Sequence, residues 1–197
     1  MSRELLGVGA FTVRQNAVVR AEWSEAQLGL VKGSVRVLES QPGWPKVFEQ
    51  LASALRPALG DLAIAVEHVG STSVPGLPAK PIVDIAIGLA ADTQLVDVIA
   101  ALAPLGYEFR GDKHQDGGWL FVFSTRPLYR VAHVHAVRYG DRQWRAYLRF
   151  RDRLRADPAA HRAYARLKRQ LAAQHADNRQ AYTSAKNSLI AELLSDA

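Results

Sequence analysis

The residues best suited to chemistry lie between Val66 and Gly88, in the stretch VEHVGSTSVPGLPAKPIVDIAIG. Gly70, Ser71, Thr72 and Ser73 close one apolar run. Small residues where a strand gives way to a helix present backbone N–H groups beside hydroxyls, a combination suited to phosphate. Gly70 lets a ligand approach the main chain closely. Asp84 stands inside the next apolar run, where a carboxylate is costly to bury. Twelve residues lie between Ser71 and Asp84, enough for a short helix and a return to a neighbouring strand. A carboxylate there would hold Mg2+ or another divalent metal against phosphates at the turn. An ordinary helix cap is the plainer alternative. The turn is not a P-loop, because Leu77 rather than Lys follows Gly76, and no G-x-S-x-G elbow occurs.

His133 and His135, two apart in a strand, share one face. They could share a metal or meet phosphate when protonated. Glu67 and His68 alternate faces, so at most one is expected to face a ligand. Lys80, just before the Asp84 strand, is either a phosphate contact or an exposed turn lysine.

These groups need a scaffold. SVRVL over 34–38 reads as a short strand. Val47, Leu51, Ala54, Leu55 and Ala58 repeat at helical spacing, with Pro45 in the first turn, Pro57 as a stop or bend and Gly60 at the exit. LAIAVEHVG is a strand, and STSVPGL opens a short helix. PIVDIAIGL is nearly all apolar and therefore central. A helix follows, capped by Asp92 or Thr93. YEFR, WLFVFS and RVAHVHAVRY are further strands, the first two joined by a turn at GDKHQDGG.

After Gly140 the pattern is helical, with breaks at Asp157-Pro158 and at Asp177, which has Gln180 as capping partner. Three helices result. Their apolar stripes are Trp144, Tyr147, Leu148 and Leu154; Tyr164, Leu167 and Leu171; and Tyr182, Ala185, Leu189 and Leu193. Each stripe carries a cation on or beside it: Arg151, Lys168 and Lys186. A buried cation needs a partner, and a phosphate at the Gly70 turn would supply one. Snorkelling is the alternative. Tyr182 stacks on a base or packs in the core.

Composition sets the outer bounds. The chain has 197 residues, 48% hydrophobic and 22% charged, which is ordinary for a soluble globular protein. It contains no cysteine, which excludes disulfides and thiolate metal sites and suits a cytoplasmic location. No apolar run is long enough for a membrane span, and the N-terminus lacks the pattern of a signal peptide. The net charge is +6. Arg138 to Ala197 holds 13 Lys/Arg and 6 Asp/Glu, leaving 12 and 13 before it. The whole basic excess thus lies in the last third, which favours phosphate-bearing partners.

EHVGSTSVPGLPAKPIVDIAIG closely resembles the signature of the GrpB family, which is related to the nucleotidyltransferase superfamily. The resemblance extends through HVHAV, LRFRDRLRADP, YARLKRQLA and AYTSAKNSLI, over about residues 35–194. It implies that Gly70 and Ser71 fill the superfamily's Gly-Ser position and that Asp84 is its first metal-binding carboxylate. The second carboxylate position holds Ala86, and the third falls near His133 and His135. Glu67, His133 or His135 would then complete a metal shell or act as base.

The expected architecture is α+β: a nucleotidyltransferase-like mixed sheet with helices over residues 35–139, then a helical segment packed on it over 140–197. Residues 1–34 form an N-terminal extension. Three functions fit. The first is a nucleotidyltransferase-like enzyme that binds a nucleotide or other phosphorylated ligand. The second is a non-catalytic binding module, and the third, ranked last, an RNA-binding accessory protein. Oligomeric state is not readable.

Overall fold

The computed structural model of the protein describes residues 23–112 and 118–195. Six strands form one mixed sheet: β1 (Leu30–Val31), β2 (Ala63–Val69), β3 (Val83–Leu89), β4 (Tyr107–Asp112), β5 (Trp119–Arg126) and β6 (Tyr129–Arg138). Their order is β2-β3-β6-β5-β4, with β1 pairing to β6. Only β3 and β6 run parallel; they sit side by side and carry Asp84, His133 and His135.

The apolar β3 is central, as its sequence requires, and every residue in it except Asp84 is buried. Pairing sets Asp84 beside His133 and Ala86 beside His135 on the parallel side. On the antiparallel side Val69 opposes Asp84 and Glu67 opposes Ala86. Residues paired across neighbouring strands share a face. Glu67, Asp84, His133 and His135 therefore project to one side of the sheet.

The opposite face makes the main core. Val83, Ile85, Ile87, Ala132 and Val134 pack there with helix α1 (Trp44–Leu59) and helix α2 (Leu95–Leu102). Pro45 lies in the first turn of α1, and Pro57 comes two residues before its end at Leu59. Trp23, Ala26 and Leu28, from the segment expected to be an extension, belong to this core, and Leu30 is buried in β1. Residues 1–22 of that segment, and 113–117 of the expected turn, lie outside the described residues.

The chemical face is covered by helices α3 (Arg142–Ala156), α4 (Pro158–Gln174), α5 (Arg179–Ser184) and α6 (Asn187–Ser195). Asp141 caps α3 by accepting from the Trp144 amide at 2.7 Å. Asp157 caps α4 by accepting from Ala159 and Ala160, with Pro158 in the first turn.

Local expectations fail in four places. SVRVL forms no strand; only Leu38 bridges, to Ala79. The cap of α2 is Gln94, because the Thr93 hydroxyl donates instead to the Leu62 carbonyl at 2.9 Å. Asn178, not Asp177, caps α5 by accepting from the Ala181 amide. The third expected C-terminal helix is two helices, because the chain turns at Ala185 and Lys186.

Candidate functional site

A cavity of about 490 Å³ opens between the chemical face of the sheet and helices α3 to α6. Gly70, Ser71, Thr72, Lys80, Asp84, His133, His135, Lys168 and Lys186 line it. Most of the residues singled out in the sequence are thus brought to one place.

Asp84 sits at its floor. His133 Nδ1 lies 3.3 Å and His135 Nε2 3.5 Å from the same oxygen, Asp84 Oδ1. Burial pushes the Asp84 carboxyl up. The hydrogen bonds and charge of the two histidines outweigh that and hold it well below the usual carboxylate range. His133 is moved down, by burial first and against the pull of Asp84. The phenol of Tyr147, on α3, lies 3.2 Å from His135 Nδ1 and so orients that ring.

Gly70 makes this floor possible. Its φ of +67° and ψ of −169° suit glycine alone, and a Cβ there would stand 2.6 Å from Asp84 Oδ2. The turn after it is a single 3-10 turn over Ser71–Ser73. Its hydroxyls are largely spent within the protein. Ser73 Oγ donates to the Gly70 carbonyl at 2.6 Å. Thr72 Oγ1 lies 3.0 Å from His68 Nε2, and the Ser71 side chain bonds Tyr164. Ser73 faces away from the cavity and gives its carbonyl to Arg155. His68 turns into the main core, stacks on Phe48 at 4.7 Å, and is pushed by burial down to about 4.

The positive charge comes chiefly from lysines. Lys168 is only 2% exposed and is more enclosed than its apolar neighbour Leu167. Its amine donates to the Pro78 carbonyl. Burial, then the charges of Lys186 and Lys80, hold it well below the ordinary lysine value. Lys186 is pushed down to about 8, by burial first and then by Lys80. Lys80 moves the same way, by burial foremost. Lys80 and Lys186 both lie over the Tyr182 ring, 5.3 and 4.6 Å from its centre. Tyr182 is fully buried, so it packs and serves as a platform for cations.

Besides Ser73, two expected members do not join. Arg151 Nη1 bonds Glu67 Oε2 at 2.7 Å and the His68 carbonyl at 3.1 Å, and its remaining nitrogens hold Asp152. Glu67 and Arg151 satisfy each other, and neither lines the cavity. The reason is position: Glu67 lies on β2, one strand out from Asp84. Arg151→Ala should therefore lower stability by about 1–2 kcal/mol, as for a half-buried charged hydrogen bond. A nucleotide's affinity should stay unchanged, which paired urea melts and calorimetry will check.

Sequence reasoning missed Arg179, Gln143 and Tyr147 as cavity residues. Tyr147 was visible only as one residue of an apolar stripe. Nothing in the spacing marks Arg179, which follows the α5 cap. No group of three His, Asp or Glu side chains among the described residues is arranged to hold a metal ion. Asp84, His133 and His135 are engaged with one another instead. As placed, both histidines converge on the one oxygen Asp84 Oδ1.

The family model described as GrpB protein matches residues 34–196. A UPF0157 protein of Pseudomonas aeruginosa is 37% identical over 177 residues, covering 89% of this chain and 71% of that protein. A UPF0157 protein of Halalkalibacterium halodurans is 36% identical over 179 residues, covering 89% and 90%. The crystal structure of conserved protein GrpB from Enterococcus faecalis superimposes with a TM-score of 0.74 at 34% identity, covering 82% of this chain and 96% of that one. The residues of the Gly70–Asp84 segment and these likenesses agree: the chain belongs to the GrpB protein family.

Proposed function

We propose that this protein binds a nucleotide or another phosphorylated small molecule in the cavity above Asp84. One observation carries the reading: Lys80, Lys168 and Lys186 crowd one cavity, and among the described residues Asp84 is the one carboxylate lining it. Buried ammonium groups repel one another and lose hydration, a cost of several kcal/mol that an anion relieves. A phosphate is the anion whose charge and oxygens match three converging amines. Ser71 and the Gly70 main chain would border it. The far wall is apolar, formed by Phe150, Ile190 and Leu194, and would receive the ligand's uncharged part.

Nucleotidyl transfer is the reaction that the Asp84 position would serve by resemblance. Asp84 would then meet any divalent cation, Mg2+ included, that arrives on the ligand's phosphates. His133 and His135 would hold or accept a proton at the floor. Binding without transfer is the second reading. It is favoured by Ala86, fully buried where a second carboxylate would stand.

Calorimetry with ATP, UTP and inorganic pyrophosphate, with and without Mg2+, tests the first claim. Lys186→Ala and Lys168→Met should each weaken binding at least about tenfold, the worth of one charge-assisted contact. Unchanged affinity in both variants, with the fold intact, would refute the site. Incubation with α-labelled nucleotides separates the two readings: labelled product lost in Asp84→Asn supports transfer.

A further inference from the structure

The cavity does not end at the histidines. A groove of about 1100 Å³ runs outward from His133 and His135 along the sheet, between β4, β5 and β6 on one side and α5 on the other. Lys32, Arg110, Arg130 and Arg179 line it. His133, His135, Arg179 and Thr183 border both spaces, so the two are continuous. A narrow cleft joins them on a second side, where Lys80, Arg130 and Arg179 meet.

We propose that this groove is a second anion site, for a phosphorylated small molecule distinct from the cavity's ligand. The two ligands would lie edge to edge across His133 and His135.

The groove's positive charge is only partly compensated. Among the described residues Arg110 pairs with Glu108, but no carboxylate pairs with Arg130 or Arg179. Arg130 is drawn below the ordinary arginine value, by burial first and then by the charges of Arg179 and Arg110, which outweigh the opposing pull of Glu108. The three guanidinium groups are thus near enough to repel one another, and they face a shared open space. Guanidinium groups match phosphate oxygens in pairs, which makes this a better phosphate surface than scattered lysines.

The lining also says what the ligand is not. Single-stranded nucleic acid is bound with aromatic side chains on which bases stack. Apart from the two histidines, the groove offers Leu120, Gln180, Thr183 and Ser184 between its cations and, among the described residues, no Phe, Tyr or Trp. A small phosphorylated molecule needs no such platform.

The groove is a separate claim from the cavity, and its residues separate the two. Arg110 and Arg130 line the groove and not the cavity; Lys168 and Lys186 line the cavity and not the groove. Inorganic pyrophosphate is the probe, titrated calorimetrically into the whole chain. Wild type should take up two equivalents. Arg130→Ala should weaken one of them at least about tenfold and spare the other. Lys186→Ala should do the reverse. A circular-dichroism melt of each variant confirms folding, and Arg110→Ala gives a second groove variant at an exposed position. One equivalent in wild type that Arg130→Ala spares, or two equivalents that both vanish in Lys186→Ala, would overturn the second site. So would an unchanged titration in Arg130→Ala and Arg110→Ala. A labelled uridine oligonucleotide that binds the groove more tightly than pyrophosphate, and is lost in Arg130→Ala, would overturn the small-molecule assignment.

Discussion

Gly70→Ala is expected to cost about 3 kcal/mol or more of folding stability. Two effects add. The main chain at Gly70 has φ of +67° and ψ of −169°, a region that only glycine occupies without strain. Forcing a side chain there costs about 1–3 kcal/mol. The new methyl would also stand 2.6 Å from Asp84 Oδ2 and 2.9 Å from Asp84 Cβ. Asp84 cannot retreat freely, because Oδ1 is tied to His133 and His135. Overpacking of this kind adds about 1–3 kcal/mol. Urea denaturation will check the value, and a loss below about 1 kcal/mol would show that the turn has room to move. The surviving folded fraction should also bind phosphorylated ligands poorly, since the shifted carboxylate would press into the cavity.

The second large effect is on pH dependence. Lys186 is pushed down to about 8, and Lys80 and Lys168 are also lowered, burial being the first cause in each. Below pH 8 Lys186 is charged in both the folded and unfolded chain, and its penalty is fully present. Between about 8 and the ordinary lysine value near 10.4, the unfolded chain holds a proton that the folded chain has released. Stability of the ligand-free protein should therefore rise with pH across that window. Ligand affinity should move the opposite way. An anion favours the charged amine, so binding is strongest below pH 8. Above it, affinity should fall by up to about tenfold per pH unit as protonation has to accompany binding. Pyrophosphate titrations from pH 7.5 to 9.5 would show this, with Lys186→Gln giving a flatter profile. Affinity that is level or rising over that interval would contradict the role given to Lys186.

Much of this arrangement is legible in the sequence, for physical reasons. β3 reads as central because its apolar run is interrupted only by Asp84. The period of a strand is enough to place His133 and His135 on one face. Asp157-Pro158 marks a helix start by chemistry that any helix shares. Legibility ends where tertiary contacts decide. Arg151 and Lys168 look alike on their helical stripes, yet one meets Glu67 and the other the Pro78 carbonyl. Helical spacing reports which face a residue occupies, not what waits opposite. In sequence the hydroxyls of the Gly70 turn look like phosphate partners, but Thr72 and Ser73 are taken up by His68 and the Gly70 carbonyl. The split of the last helix at Ala185 and Lys186 carries no proline or glycine to announce it. The groove is not legible either, since Lys32, Arg110, Arg130 and Arg179 are far apart in the chain and meet only through the pairing of β1, β4, β5 and β6 and the packing of α5 over them.

On the proposed reading, the buried Lys168 and the half-buried Lys80 and Lys186 receive a phosphate above Asp84. A crystal structure of the protein grown with ATP or pyrophosphate tests it most directly. Phosphate oxygens within hydrogen-bond distance of the Lys168 and Lys186 amines, with Ser71 at their edge, are the predicted result. A cavity filled by water or by a side chain, with the anion bound only outside it, would contradict the account.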